Sequence, residues 1–277
     1  MKVVFILGSG HCGSTLLDLL LDCHSQIVGV GELQHLARDP VCACGRNVVD
    51  CPFWHAAAIK IKYDLQAHRK KIDFLLNRPR FWQRRGLDWQ RLDSESDFVG
   101  VYQSLFEYIL QQSGKEVIVL SSKSVPLFEL LQKSEVIEPV VIHLVRDGRA
   151  VVWSYMKKYN SALPFIWKWI AENIKVEILK LRYKQIKFLT INYQQLTRDP
   201  EGTLKAILAE LSLPWQPEIL NFRDCPHHQV GGNRMKLRKD STIKEDLEWK
   251  SKMPWQYKIL TNFLLGWLNW YYVKKNK

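Results

Sequence analysis

The sequence predicts an α/β fold, a three-layer α/β/α arrangement around a parallel sheet, and three observations carry that expectation. First, the apolar run Val3 to Leu7 leads directly into a glycine-rich turn, Gly8-Ser9-Gly10-His11-Cys12-Gly13-Ser14-Thr15. Second, Leu16, Leu17, Leu20 and Leu21 follow at helical spacing, so strand, turn and helix succeed one another within the first 23 residues. Third, further short apolar strands at 116–120, 140–145 and 187–191 alternate with helical stretches near 127–133, 149–158, 165–183 and 201–211. Alternation of that kind builds a parallel sheet covered by helices, with its ligand at the carboxyl ends of the strands. A basic, aromatic, mostly helical insertion at about 52–112 interrupts the rhythm, and an aromatic helix at about 254–273 closes the chain.

The 277 residues contain no Pro/Gly/Ser-rich linker, repeat or low-complexity tract, so a single domain spanning 1–277 is expected. Formal net charge is +12, and ten lysines and arginines against three aspartates fall between Lys60 and Arg91. Such a segment suits an anionic ligand, an acidic acceptor or peripheral contact with an anionic membrane; it is equally a solvated helix face. No nucleic-acid partner is expected. No run of about 18 apolar residues is available to cross a bilayer. With no secretory leader after Met1, the chain reads as cytoplasmic, and its six cysteines as reduced thiols.

The glycine-rich turn fits the phosphate-loop pattern G-x-x-x-x-G-K-[ST] except that Ser14 stands where the lysine should be. A turn feeding a helix N-terminus binds anions through its N–H groups and the helix dipole even without that lysine. What is lost is the grip on a γ-phosphate. The loop resembles the first binding loop of sulfotransferases that use 3′-phosphoadenosine 5′-phosphosulfate (PAPS), with His11 in the slot for a basic residue. The resemblance implies a P-loop NTPase-like fold and a PAPS contact through His11, Cys12, Gly13, Ser14 and Thr15. Cys12, a thiol at a helix start, is expected to have a lowered pKa and to be there for its size.

A second segment is more specific. His143-Leu144-Val145-Arg146-Asp147-Gly148-Arg149-Ala150-Val151-Val152-Trp153-Ser154 ends a strand and opens a helix. It resembles the family's 3′-phosphate segment, closest in wording to the tyrosylprotein sulfotransferases. On chemistry alone, Arg146 can fork onto a phosphate, Ser154 can donate a hydroxyl two turns later, and Lys158 adds a charge one turn beyond. The stretch Asn192-Tyr193-Gln194-Gln195-Leu196, with Asp199-Pro200-Glu201 after it, resembles a further family segment and points Tyr193 toward the 3′-phosphate side. Gly231-Gly232-Asn233-Arg234-Met235-Lys236 occupies the region of the family's nucleotide-covering loop and adds Arg234 and Lys236.

Sulfuryl transfer needs a base for the acceptor hydroxyl, positive charge on the departing oxygen, and in-line alignment. The resemblance implies no metal in this chemistry. Glu32, in Val30-Gly31-Glu32-Leu33, resembles the catalytic glutamate of the tyrosylprotein relatives, with His24 and His35 as rival bases. Lys123, in Ser121-Ser122-Lys123-Ser124-Val125-Pro126, is expected to stabilise the leaving oxygen from the side opposite Glu32. The acceptor is a hydroxyl of a carbohydrate, tyrosine, lipid or small molecule. Two other readings stay open: an atypical P-loop kinase or hydrolase, and a non-catalytic module that binds membranes or polyanions. Cys42, Cys44 and Cys51 form a C-x-C-x6-C cluster open to three states: plain thiols, a disulfide, or a zinc site completed by His35 or His55.

Overall fold

The computed structural model describes residues 1–38, 41–55, 95–238 and 242–274. The basic stretch from Lys60 to Arg91 lies outside the described residues, and so does most of the expected insertion. Five strands, β1 (Lys2–Leu7), β2 (Ile27–Gly31), β3 (Val117–Leu120), β4 (Glu138–Val145) and β5 (Lys187–Asn192), form an all-parallel sheet in the order β2-β3-β1-β4-β5. The chain runs outward from β1 to β2 on one side and from β4 to β5 on the other. This reversal opens a crevice at the carboxyl ends of β1 and β4, the expected place for a ligand.

Alternation along β1 explains the layers. Val3, Phe5 and Leu7 point into one core, with helix α2 (Glu95–Ser113) and helix α3 (Val125–Leu131) supplying Tyr102, Phe106 and Phe128. Val4 and Ile6 point into the other, against Leu16, Leu17 and Leu20 of α1 (Ser14–Asp22). Helix α3 and helices α4 (Gly148–Tyr159), α5 (Leu163–Arg182) and α7 (Pro200–Glu210) match the helical periodicity of the sequence to within two or three residues, whereas the short α6 (Tyr193–Arg198) has no counterpart among the helical stretches read from it. The one strand without a sequence counterpart is β2. Its Ile-Val-Gly-Val-Gly is too short and glycine-rich to announce itself, and pairing with β3 makes it a strand.

After a short helix α8 (Glu248–Lys252), helix α9 (Trp255–Asn269) and a π-helical turn (Trp270–Lys274) close the described chain. Leu265, Leu268 and Tyr272 bury against Val151, Val152 and Trp169 of α4 and α5. The opposite face leaves Trp255, Ile259, Phe263, Trp267 and Trp270 exposed, so the tail is only half a core helix. Among the described residues, no helix is long and apolar enough to cross a membrane.

Cys23, at the end of α1, forms a disulfide with Cys225. This corrects the expectation of six reduced thiols. The two cysteines are 202 residues apart, and only the tertiary structure brings them together.

Candidate active site

The crevice is a cavity of about 970 Å³, in the size range of small-ligand sites. Its described lining is strongly basic: Lys123, Arg146, Lys157, Lys158, Arg223, Arg234, Arg238 and Lys244, against the carboxylates Glu32, Glu245 and Asp246. Of the residues singled out in the sequence, His11, Gly13, Ser14, Thr15, Glu32, Lys123, Arg146, Ser154, Lys158, Tyr193 and Arg234 line it. Sequence reasoning missed Lys157, Arg223, Arg238 and Lys244. Lys157 sits beside Lys158 on α4 but matches no motif, and Arg223, Arg238 and Lys244 come from loops without a recognisable pattern.

The turn after β1 is shaped by glycine. Gly13 has φ +99°, and a Cβ there would run into the Tyr193 ring, so only glycine lets the turn lie on that ring. Cys12 is fully buried, and burial pushes its thiol up. The expected lowering is therefore wrong, because desolvation outweighs the helix start. His11 has its pKa lowered by burial and by Arg146, Lys123 and Lys158, which favours the neutral imidazole.

Lys123 answers for the missing phosphate-loop lysine. It arrives from the end of β3, and its Nζ donates to Ser14 Oγ at 3.1 Å, to Ser121 O at 2.9 Å and to Glu32 Oε1 at 2.6 Å. Its backbone is left-handed at φ +57°, costing roughly 1–2 kcal/mol. Strained positions of this kind cluster at functional sites. Glu32 and Lys123 are thus in direct contact, which corrects the expectation that they approach from opposite sides.

Glu32 is set by its surroundings. Its N–H donates to Val230 O at 2.7 Å, and its Oε2 lies 3.2 Å from His35 Nε2. Burial by itself would raise its pKa, but His35 and Lys123 together hold it down to about 2. Just before Glu32, Gly31 N–H donates to Asp18 of α1 at 3.1 Å and Gly29 N–H to Asp22 at 2.7 Å. These two carboxylates fix the end of β2. A depressed carboxylate stabilises the fold above its unfolded pKa of about 4.5 and loses that contribution as pH falls toward 2. The stability gap between wild type and Glu32→Gln should therefore be flat above pH 5 and shrink below about 4.5. Urea titrations at several pH values measure it, and a gap that shrinks between pH 7 and 5 would contradict the assignment.

The rival bases separate cleanly. His24 is fully buried, its Nε2 on Pro214 O at 2.8 Å and its Nδ1 accepting from Gln26 N–H at 3.1 Å, and it does not line the cavity. It is a core histidine. His35 stands behind Glu32 as its partner.

On the far wall Arg146 is buried, with its guanidinium 4.6 Å above the Tyr193 ring. It donates to His11 O at 3.0 Å and to Asp246 Oδ2 at 2.9 Å, while its Nε finds no partner among the described residues. Ser154 Oγ donates to Ala150 O one turn back. Thr15 Oγ1 accepts from Asn233 N–H at 3.2 Å, which ties the 231–236 loop over the start of α1. In that loop Arg234 is exposed to the cavity, but Lys236 is not. Lys236 is buried with Nζ on Val41 O and Gln229 O, so its expected role at the nucleotide is corrected to a structural one.

A glycine cradle at a helix start, a buried arginine at the end of the neighbouring strand and a basic cleft meet at a sheet switch point, an arrangement suited to an anion. Residues 3–217 match the model of the sulfotransferase family. The chain belongs to that family. Protein-tyrosine sulfotransferase 1 of Danio rerio is 24% identical over 281 residues, which cover 92% of this chain and 67% of that protein. Two solved structures share the fold. The sulfotransferase domain of the Synechococcus PCC 7002 olefin synthase superposes with a TM-score of 0.56 at 20% identity, covering 95% of this chain and 94% of that one. The sulfotransferase domain from the curacin biosynthetic pathway gives 0.58 at 18%, covering 96% and 97%. This sulfotransferase is accordingly a P-loop-like α/β enzyme.

Proposed function

We propose that this sulfotransferase moves a sulfuryl group from PAPS to an acceptor hydroxyl, with Glu32 as the base and Lys123 as the leaving-group donor. The observation that carries the reading is the Glu32–Lys123–Ser14 chain, which joins an acid/base pair directly to the anion-binding turn. The residues fit a bisphosphorylated donor. The turn from Gly13 to Thr15 offers N–H groups to the 5′ side, and Arg146 with Ser154 and Lys158 offers charge and a hydroxyl to the 3′-phosphate. Tyr193 braces both, beneath the guanidinium and against Gly13.

In the transfer, Glu32 takes the acceptor's proton as the acceptor oxygen bonds to sulfur. The bond from sulfur to the bridging oxygen breaks, and Lys123 hydrogen-bonds that oxygen as it gains charge. Lys123 cannot hold Glu32 and the donor equally. As its ammonium turns to the leaving oxygen, Glu32 keeps His35 but loses one of the two partners that hold it acidic, and burial then raises its basicity. The carboxylate is weakest as a base when the cleft is empty and strengthens once it is filled. The acceptor is a hydroxyl whose class remains among carbohydrate, tyrosine, lipid and small molecule.

Because Lys123 supplies the positive charge that a divalent cation supplies in kinases, binding of 3′,5′-adenosine bisphosphate should be the same with and without added Mg²⁺. Calorimetry in both conditions checks this. A Mg²⁺ requirement, or preference for Mg-ATP over the bisphosphate, would favour the P-loop kinase reading. The Cys23–Cys225 disulfide also weighs against the cytoplasmic expectation, since oxidising compartments are where such bonds persist.

A further inference from the structure

The three cysteines of the C-x-C-x6-C cluster meet a histidine from the other end of the chain. Cys51 Sγ lies 3.5 Å from Cys42 Sγ and 3.7 Å from Cys44 Sγ. His228 Nδ1 lies 3.2 Å from Cys51 Sγ and 3.8 Å from Cys42 Sγ. All four ligand atoms fall within 4.8 Å of one another, and none of the cysteines is disulfide-bonded. With Zn–S of about 2.3 Å and Zn–N of about 2.0 Å, a tetrahedral site puts its sulfurs about 3.8 Å apart and its nitrogen about 3.5 Å from each. The two sulfur–sulfur spacings at Cys51, 3.5 and 3.7 Å, fall just inside the first value, and the two nitrogen spacings, 3.2 and 3.8 Å, bracket the second.

We propose that Cys42, Cys44, Cys51 and His228 form a structural Cys3His zinc site, distinct from the transfer site.

The surroundings are those of a metal shell. Backbone N–H groups donate to the sulfurs, that of Cys44 to Cys42 and those of Phe53 and Trp54 to Cys51, as outer-shell groups do around a metal. Phe53 stacks on the His228 ring at 5.0 Å, orienting the imidazole, and Trp54 Nε1 donates to the His228 backbone O at 2.6 Å, holding the chain that carries it. Three thiolates, one neutral imidazole and Zn²⁺ carry net −1. The buried Lys236 ammonium, bonded to Val41 O and Gln229 O beside two of the ligands, balances it. This accounts for a buried lysine that has no role at the cavity. The histidines suggested by the sequence are engaged elsewhere: His35 on Glu32, and His55 on Val49 O at 2.6 Å.

A disulfide would use two of the sulfurs and leave the third, with His228, unexplained. A closed four-ligand set, with two cysteines fully buried, leaves no open position for a substrate, so the role is structural. The metal would staple the 41–55 loop to the 228–230 segment, whose Val230 carbonyl accepts the Glu32 N–H.

The full-length chain, purified without chelator or metal-affinity resin, should contain about one zinc per molecule by plasma mass spectrometry. Cys42→Ser and His228→Ala should each reduce it at least fivefold. Independently of whether those variants fold, the wild-type chain exchanged into Co²⁺ gives a second reading. It should show thiolate-to-cobalt charge transfer and the intense visible bands of tetrahedral cobalt. Zinc below 0.1 per chain that added Zn²⁺ does not raise, or a second disulfide in the intact mass, would overturn the site. Neither readout uses sulfuryl transfer, so the proposal stands or falls apart from the proposed activity.

Discussion

Arg146→Ala should weaken 3′,5′-adenosine bisphosphate by roughly 10²-fold or more while leaving adenosine 5′-monophosphate within about threefold, as hydrogen bonds to charged groups are worth about 1.5–3 kcal/mol each. The expectation rests on a guanidinium already buried and braced over Tyr193 at 4.6 Å, so no ordering cost remains to be met on binding. Asp246 holds the Arg146 fork at 2.9 Å. A 3′-phosphate must displace that carboxylate or share the fork with it. Asp246→Asn should accordingly tighten the bisphosphate, in the opposite direction to Arg146→Ala. Calorimetry on both variants with both ligands provides the check. Equal losses for the two nucleotides in Arg146→Ala would remove the residue from the 3′-phosphate.

Glu32→Gln and Lys123→Ala should both lower turnover steeply, but with different acceptor dependence. Glu32→Gln keeps the shape and removes the basicity, so donor binding should persist while turnover falls roughly 10²–10⁴-fold. A phenol with a more acidic hydroxyl should suffer less, because its proton needs less help. Lys123→Ala should slow every acceptor alike, by roughly 10²–10³-fold, since the leaving oxygen is the same each time. The 2.6 Å contact between the two adds a further expectation. Removing both should cost less than the product of the single losses, since each variant already disrupts the shared pair. A transfer assay with labelled PAPS and phenols of graded acidity measures all of this. Near wild-type rates for Glu32→Gln with the least acidic phenol would shift attention to His35, the one other candidate base beside the site.

What the sequence determined by itself was whatever depends on a few neighbouring residues. The apolar run of β1, the glycine turn with its φ +99° at Gly13, and the strand-to-helix passage around Arg146 are local, because strand, turn and helix preferences act over a few positions. The candidate site was legible to the extent that its residues lie at strand ends, where a parallel sheet gathers them whatever the intervening chain does. The tertiary structure decided which side chains of a segment turn inward. Arg234 and Lys236 are two residues apart in one loop, yet one faces the cavity and the other grips carbonyls of a distant loop. His24 and His35 are alike in sequence, but only packing sets the first on Pro214 O and the second on Glu32. The short β2 exists as a strand through β3 and the buried carboxylates of Asp18 and Asp22. His228 joins Cys42 across 186 residues, and Cys225 joins Cys23 across 202. No local pattern encodes such separations: they follow from how buried surfaces close on one another, and that is fixed only when the whole core is assembled.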